Sequence, residues 1–230
     1  MFKVWLSVLI DIHCHHVKNI SPTAVLTLDT DTKIPEHQYF SFGIHPWLAQ
    51  TVNLSDVTTS LLKYIHHPNF LMLGEIGLDR SSAVDFKSQI DLFTAQVKFA
   101  KSNKVNTLLI HCVRALSDIL KVINETNYQG LLVFHDTNFS SQDLKLVTEL
   151  GHYVSFGDNL FRACSKATKY LTQVDQSKLL LESGDGKQTI TQVYEKAAAL
   201  LELEVESLER TVLKNFQSLF NDRNFSFSFN

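Results

Sequence analysis

Histidines and acidic residues follow the apolar segments of this chain of 230 residues. The first apolar segment runs into His13 and His15, and side chains two residues apart face the same side of an extended strand. We therefore expect both imidazoles to reach one metal ion, although two unrelated histidines would give the same pattern. The other segments run into or approach these candidates: His45, Glu75, His111, His135, Asp136, Asp158, Glu182 and Asp185. Imidazole and carboxylate donors together suit Zn, Mn or Fe rather than a dedicated Ca site.

Short apolar segments alternate with longer amphipathic ones. The predicted strands are Val8–Ile12, Ala24–Leu28, Tyr39–Ile44, Phe70–Gly74, Thr107–Ile110, Leu131–Phe134, Tyr153–Phe156 and Lys178–Leu181. The predicted helices are 55–66, 86–102, 114–125, 141–150, 160–172, 189–202 and 206–220. Apolar strands that alternate with helices predict a parallel sheet covered by helices, and eight of them predict an α/β fold, a compact (β/α)8 TIM-type barrel. Because barrel active sites lie at the carboxyl ends of the strands, the candidate ligands should converge at one mouth.

The length and composition fit one globular domain over residues 1–220, followed by a Phe/Ser-rich tail at 221–230. The net charge of -3 is unlike that of a basic nucleic-acid binder, so bound metal would have to supply attraction to phosphate. Three scattered cysteines indicate a reducing compartment, and we expect a cytoplasmic protein. We interpret the start, MFKVWLSVLI, as the first strand rather than a signal peptide, and no apolar run reaches the ~20 residues of a membrane helix.

Five segments occur in an order and at spacings that resemble the TatD family of metal-dependent deoxyribonucleases. They are IDIHCHH, FGIHPW, LGEIGLD, LLIHC and LLLES, and the resemblance extends from about Leu9 to Phe220. It implies a metal-dependent hydrolase that cleaves phosphodiester bonds of DNA, exonucleolytically and at single-stranded ends. Some compact TatD-like proteins belong to Qat-type anti-phage defence systems, so a defence role with protein partners from a defence operon is a further expectation. We expect a monomer.

The resemblance also implies two divalent ions, Zn, Mg or Mn. His13, His15, Glu75 and a final aspartate would bind the first ion, and Glu75, His111 and His135 would bind the second, with Glu75 bridging. Two neighbouring cations activate a water and stabilise both oxygens of an in-line displacement. In the family the last ligand also helps to orient that water.

The chain departs from the family pattern at that last ligand. Where the family has Leu-Glu-Thr-Asp, this chain has Gly184 at the aspartate position and Asp185 one residue later. Glycine adopts unusual dihedral angles, so Asp185 is expected to turn inward, as a ligand and catalytic base. A solvated turn at Asp185 is the alternative, with Glu182 as the substitute ligand. After His135 the family's aromatic and glycine are also missing.

Three more residues are candidates for substrate binding: His45, Arg80 and Arg114. Guanidinium groups bind phosphate in a bidentate manner, although a surface salt bridge is as plausible for both arginines. Trp47, beside His45, would stack on a base or, slightly favoured, pack in the core. Two alternatives to a nuclease stay open: an amidohydrolase or deacylase at the same metal site, and a TatD-like binding protein with weakened catalysis.

Overall fold

The computed structural model describes residues 8–15, 23–28, 33, 36–221, 223 and 225. Its strands are β1 (Asp11–Cys14), β2 (Ala24–Leu28), β3 (Tyr39–Phe42), β4 (Phe70–Asp79), β5 (Thr107–Val113), β6 (Leu131–Phe134), β7 (Tyr153–Phe156) and β8 (Leu179–Leu181). They form one eight-stranded sheet in the order β1 to β8. The pairs β3–β4, β4–β5, β5–β6 and β7–β8 are parallel. This arrangement confirms the predicted α/β class, a compact (β/α)8 barrel.

Helices follow the strands from β3 onward. They are α1 (Leu54–Ile65), α2 (Phe86–Ser102), α3 (Leu116–Thr126), α4 (Ser141–Glu149), α5 (Lys166–Tyr170), α6 (Ile190–Leu201) and α7 (Val205–Leu219), with short 3-10 helices at Pro46–Leu48, Asp158–Phe161, Leu171–Gln173 and Gln176–Lys178. Side-chain caps set several of their starts: α4 and α6 begin at capping boxes built on Ser140 and Thr189. None of the helices in the described part of the chain has the length and apolarity that crossing a bilayer requires.

The chain divides into two compact units, which we name for their places in the sequence. The middle unit is residues 26–135, and its core includes the fully buried Phe93 and Ile110. The terminal unit combines residues 1–25 with 136–230, and Phe156 and Phe216 are fully buried in it. The predicted single domain over 1–220 stays a prediction. Of the predicted tail, residues 222, 224 and 226–230 lie outside the described residues.

Three strands extend further than predicted. β1 continues to Cys14, β4 to Asp79 and β5 to Val113, so His13, Glu75 and His111 lie within strands rather than after them. The prediction placed strand ends where the first polar or ionisable residue appeared. In the structure the strands continue through these residues, because the backbone pairing does not depend on side-chain polarity.

The helix predicted over 160–172 is wrong as a continuous element. The segment contains a 3-10 helix ending at Phe161, the short helix α5, and a second 3-10 turn that begins at Leu171. Cys164 has a φ of 61°, which a continuous α-helix excludes, and the hydroxyl of Ser165 caps a new helix by accepting from the Thr168 backbone amide.

Candidate metal centre

Glu75 lies at an irregularity of β4. Leu73 is opposite Leu108 on β5, but Ile76 is opposite Ile110, so β4 has one residue more than β5 over this stretch. A bulge of this kind changes the direction of a side chain, and bulges are frequent beside active sites. Glu75 is nearly buried, with 7% of its surface exposed. The bulge therefore presents one desolvated carboxylate within β4.

A glycine two residues later brings β5 close to this carboxylate. Gly77 pairs with His111 across the two strands and has a φ of 148°. A Cβ at position 77 would collide with the carbonyl oxygen of His111. Only glycine meets both conditions, which gives a physical reason for the second glycine of the GEIG segment.

His111 and His135 converge on one oxygen of Glu75. His111 Nδ1 and His135 Nε2 each lie 2.7 Å from Glu75 Oε1, and these two nitrogens are 3.2 Å apart. Burial lowers the pKa of His111, and the hydrogen bond to Glu75 only partly offsets this, while the neighbouring His135 lowers it further. A neutral imidazole is the form that binds metal.

These three donors fit a divalent ion. Ligands of one tetrahedral ion at ordinary Zn–N lengths lie about 3.4 Å from each other, which is close to the 3.2 Å between the two nitrogens, whereas the two 2.7 Å contacts to Glu75 Oε1 are of hydrogen-bond length. Two lone pairs that face each other at 3.2 Å repel unless a proton or a cation lies between them. The ligands predicted for the other ion, His13, His15, Glu75 and a final carboxylate, are also imidazoles and carboxylates. Both predicted sets therefore consist of donor types that Zn and Mn accept.

His45 also reaches this oxygen, but as a hydrogen-bond donor. Its Nε2 lies 3.2 Å from Glu75 Oε1, and donor atoms of His45, Glu75 and His111 all lie within 4.8 Å of one another. Its Nδ1 accepts a hydrogen bond from the backbone amide of Trp47, at 3.2 Å. A ring whose Nδ1 accepts carries its proton on Nε2, so His45 presents an N–H to the site rather than a lone pair.

Asp79 and Trp47 complete the surroundings of His111. Asp79 Oδ2 accepts from Trp47 Nε1 at 2.8 Å and lies 3.6 Å from His111 Nε2. Burial raises the pKa of Asp79, but hydrogen bonds from Trp47 and from the Ser81 backbone outweigh this, and the pKa lies below its ordinary value. At this distance the ionised carboxylate acts on His111 through its charge, which favours a proton on Nε2 and leaves the lone pair on Nδ1, the nitrogen that faces Glu75. Our sequence analysis missed Asp79, although its spacing of four residues from Glu75 was a usable signal.

The core packing favoured for Trp47 is wrong. Its side chain is 55% exposed, because the indole N–H bonds to an acceptor 32 residues away instead of the ring entering the core.

In the terminal unit, His13 and His15 lie side by side. Their rings are 4.7 Å apart in an edge-on arrangement, and His13 is almost fully buried. The Cys14 thiol between them is directed to the carbonyl of Val25 at 3.6 Å. The alternation expected of an HxH segment on a strand is therefore present.

Two buried carboxylates flank the end of β8. Ser183 donates its backbone amide to Asp11 Oδ1 at 2.9 Å and its hydroxyl to Asp11 Oδ2 at 2.6 Å. Burial raises the pKa of Asp11 to about 7, although the Ser183 bonds oppose the rise. Glu182 is fully buried, and its Oε1 accepts from the backbone amide of Asp136 at 3.1 Å.

Asp185 lies at the surface. Its side chain is 70% exposed, and its Oδ2 is 3.8 Å from Lys187 Nζ, which also pairs with Asp158 at 3.1 Å. Gly184 has a φ of 53° and pairs with β1 at Cys14, so this glycine allows a tight turn beside the strand. The placement favours the solvated-turn alternative for Asp185, and its role as a ligand stays a prediction.

The two arginine candidates lie in the middle unit. Arg80 makes a bidentate ion pair with Asp118, with its shortest contact at 2.8 Å, and its guanidinium lies 4.0 Å from the Phe86 ring centre. Arg114 is exposed and has a φ of 54°. Substrate binding by either residue stays a prediction.

Comparison with known proteins identifies one family over most of the chain. The family model described as TatD related DNase matches residues 12–221. The human protein named 3'-5' RNA nuclease TATDN2 is 33% identical over 87 residues, which are 37% of this chain and 11% of the human protein. This chain therefore aligns with only a small part of that relative.

Solved structures show the same fold. YJJV, a TatD homologue of Escherichia coli K12, has a TM-score of 0.76 at 19% identity and covers 93% of this chain and 98% of its own. A TatD family hydrolase of Entamoeba histolytica has a TM-score of 0.72 at 14% identity, with 85% and 83% covered. An uncharacterised amidohydrolase of Saccharomyces cerevisiae has a TM-score of 0.69 at 15% identity, with 86% and 88% covered.

Proposed function

Because this chain belongs to the TatD-related DNase family, whose members are hydrolases, we propose that it hydrolyses phosphodiester bonds at single-stranded DNA ends. The observation that carries the proposal is the convergence of His111 and His135 on Glu75 Oε1. These are the three residues that the family resemblance assigns to one ion. The described residues thus include a histidine–glutamate group of the kind that metal-dependent hydrolases need.

We propose two divalent ions, Zn, Mg or Mn. Glu75, His111 and His135 would hold one, and His13, His15 and Glu75 with a final carboxylate would hold the other; the second set rests on the resemblance alone. Such ions supply positive charge that lowers the pKa of a water and stabilises charge on phosphoryl oxygens. Asp185, one residue after the position that the resemblance gives to the final aspartate, would supply this carboxylate, and Glu182 is the substitute that its burial favours.

The remaining residues orient the reactants. The Nε2–H of His45 is a neutral donor at the edge of the cluster, suited to an oxygen of the phosphodiester. Asp79 lies behind the His111 ring, 3.6 Å from Nε2, and its negative charge would favour a proton on that nitrogen. A buried carboxylate at the end of β8 would accept the proton of the attacking water, which is the role of a general base.

RNA is the second candidate substrate, because the human relative is named as an RNA nuclease. A single-stranded RNA end offers the same phosphodiester with an added 2′-hydroxyl. A role in anti-phage defence, a protein partner from a defence operon, a monomeric state and a cytoplasmic location stay predictions.

The test is a substrate panel with the metal-stripped and reconstituted protein. Single-stranded DNA, RNA of the same sequence, a carboxylic ester and an amide are each assayed with added Zn, Mg or Mn. We expect cleavage of the DNA that depends on added metal. Turnover of only the ester or amide would contradict the proposal in favour of an amidohydrolase or deacylase. Binding of DNA without turnover at any metal concentration would contradict it in favour of a binding protein.

A further inference from the structure

Trp47 is the most exposed large apolar side chain among the described residues, at 55%. Exposed apolar residues are common singly, but tryptophan carries the largest apolar surface, and aromatic residues are enriched at binding sites. Leu48, the next residue, is also exposed, at 39%. The exposed apolar surface at this position therefore includes an indole ring and the leucine next to it.

The indole is held in place although it faces solvent. Its Nε1 donates to Asp79 Oδ2 at 2.8 Å, and Asp79 itself is only 4% exposed. The backbone amide of Trp47 bonds to His45 Nδ1, and Pro46 begins the 3-10 helix that carries the residue. Proline restricts the backbone of that turn. An aromatic ring fixed at both its backbone and its polar end loses little conformational entropy when a ligand covers it.

The ring also lies beside the proposed ligands. Its centre is 4.7 Å from that of His45 and 6.0 Å from that of His111, and both contacts are edge-on. The indole is still 55% exposed despite these two contacts, so part of its ring surface is open to a ligand. A nucleotide whose phosphate lies against His45 and His111 would therefore place its base next to Trp47.

We propose that Trp47 is a stacking platform for an unpaired nucleobase next to the scissile phosphate, so that the substrate is a base-bearing single strand rather than any phosphodiester. This inference rests on the function proposed above. Stacking on an aromatic ring accepts every base, since each base has a π-face. It also supplies affinity that a chain with a net charge of -3 does not obtain from its overall electrostatics.

Fluorescence tests the platform without relying on turnover. The chain contains two tryptophans, so Trp5→Phe leaves Trp47 as the single reporter, and phosphorothioate linkages in every strand slow cleavage while the metal ligands stay intact. The titrants are oligodeoxyadenylate, oligoadenylate and an abasic strand of equal length with the same phosphates. We expect quenching of Trp47 emission by both base-bearing strands and none by the abasic strand. Equal effects of the abasic and base-bearing strands would overturn the proposal.

Kinetics separate stacking from the support of Asp79. Trp47→Phe keeps an aromatic face but removes the N–H, whereas Trp47→Leu keeps apolar bulk without a ring. For a base-bearing strand, loss of one stacked base predicts a rise in KM of roughly tenfold in the leucine variant and less than about threefold in the phenylalanine variant. On the abasic strand the leucine variant should match the phenylalanine variant, because both lack the N–H that bonds to Asp79. Leu62→Ala, which removes another exposed side chain of the middle unit, is the control.

The outcomes distinguish this proposal from the proposed function. If the wild type cleaves DNA and the Phe and Leu variants lose activity equally, Trp47 only supports Asp79 and the platform is wrong. If the wild type cleaves no nucleic acid, the proposed function is wrong, and the fluorescence titration alone decides whether Trp47 binds bases. If the Trp47 variants have the KM of the wild type for all three strands, the platform is also rejected.

Discussion

Two buried carboxylates in the two units have opposite surroundings. Glu75 in the middle unit faces three imidazole rings, two of them at 2.7 Å from Oε1. Asp11 in the terminal unit faces the amide and hydroxyl of Ser183 at 2.9 and 2.6 Å. Both are almost fully buried, at 7% and 4% exposure. The two side chains therefore carry the same functional group at similar burial, and they differ in their neighbours.

The neighbours decide what each carboxylate contributes. Imidazoles are Lewis bases when neutral, so the Glu75 group has several lone pairs in one place and gains most when a cation enters. Ser183 donates two hydrogen bonds to Asp11, which partly offset the burial that raises the pKa of this carboxyl, so its partners come from the protein itself. We infer that Glu75 serves chemistry and that Asp11 serves the fold. Substitutions in the two groups should therefore affect different measurements.

The largest effect is expected for Glu75→Gln. An amide cannot neutralise bound cations, so metal content should fall and kcat/KM should drop by at least about a thousandfold. Thermal unfolding of the metal-free variant should match that of the wild type, since no core packing changes. Glu149→Gln on α4, where the carboxylate is exposed and 3.7 Å from Lys145, is the control. Full metal content and turnover in the Glu75 variant would contradict the chemical role assigned to Glu75.

Two carboxylates at the end of β8 compete for the last ligand position. Glu182→Gln removes a fully buried charge, and loss of a general base predicts a decrease in kcat on the order of a hundredfold. Asp185→Asn removes an exposed charge near Lys187 and should change kcat less than about twofold. Metal stoichiometry and kcat of both variants are the measurements. A larger loss in Asp185→Asn than in Glu182→Gln would assign the last ligand position to Asp185. The turn that carries Asp185 would then have to move.

Restoring the family's aspartate at Gly184 should strengthen the first metal site. A Cβ at this position would have Glu182 Oε1 as its nearest neighbour, at 3.6 Å, which is ordinary contact. The φ of 53° is strained for most residues, but Asp and Asn tolerate it better than others. Gly184→Asp should tighten metal binding roughly tenfold relative to Gly184→Asn, which has the same shape without charge. Calorimetric titration with Zn or Mn would show equal affinities if position 184 does not face the ion.

The donor residues were predictable because they follow apolar segments in a recognisable order. His111 and His135 were assigned together with Glu75, and the structure brings these three together. The continuation of β4 to Asp79 was not predicted, since a bulge and a pair of glycines leave no apolar alternation to follow. The support of His111 by Asp79 was missed for the same reason.

Contacts between distant parts of the chain account for other features that no local pattern predicts. Trp47 is held at the surface by an acceptor 32 residues away, and no local pattern encodes that bond. The turn at Asp185 depends on a bridge between Gly184 and Cys14 on β1. Periodicity predicts which segments are strands or helices. It does not predict long-range pairings, which decide the direction of the side chains at these turns.

The smallest effect is expected for the hydrogen bonds between Asp11 and Ser183. Breaking them tests directly whether this carboxylate stabilises the fold. Ser183→Ala leaves a buried carboxylate oxygen without the hydroxyl at 2.6 Å, which should lower the free energy of unfolding by about 1–2 kcal/mol. Asp11→Ala removes both acceptors of the Ser183 hydrogen bonds, and a loss of at least similar size is expected. In the double variant the two losses should not add, with a coupling of about 1 kcal/mol.

Urea unfolding of the four metal-free proteins at one pH measures this cycle. Ser218→Ala, an exposed serine of α7 in the same unit, should change the unfolding free energy by less than about 0.5 kcal/mol. Metal content on reconstitution supplies the second measurement, because a structural pair should affect unfolding while the metal stoichiometry stays that of the wild type. If Asp11→Ala instead loses metal with no change in unfolding, Asp11 belongs with Glu75, and the distinction drawn from their neighbours is wrong.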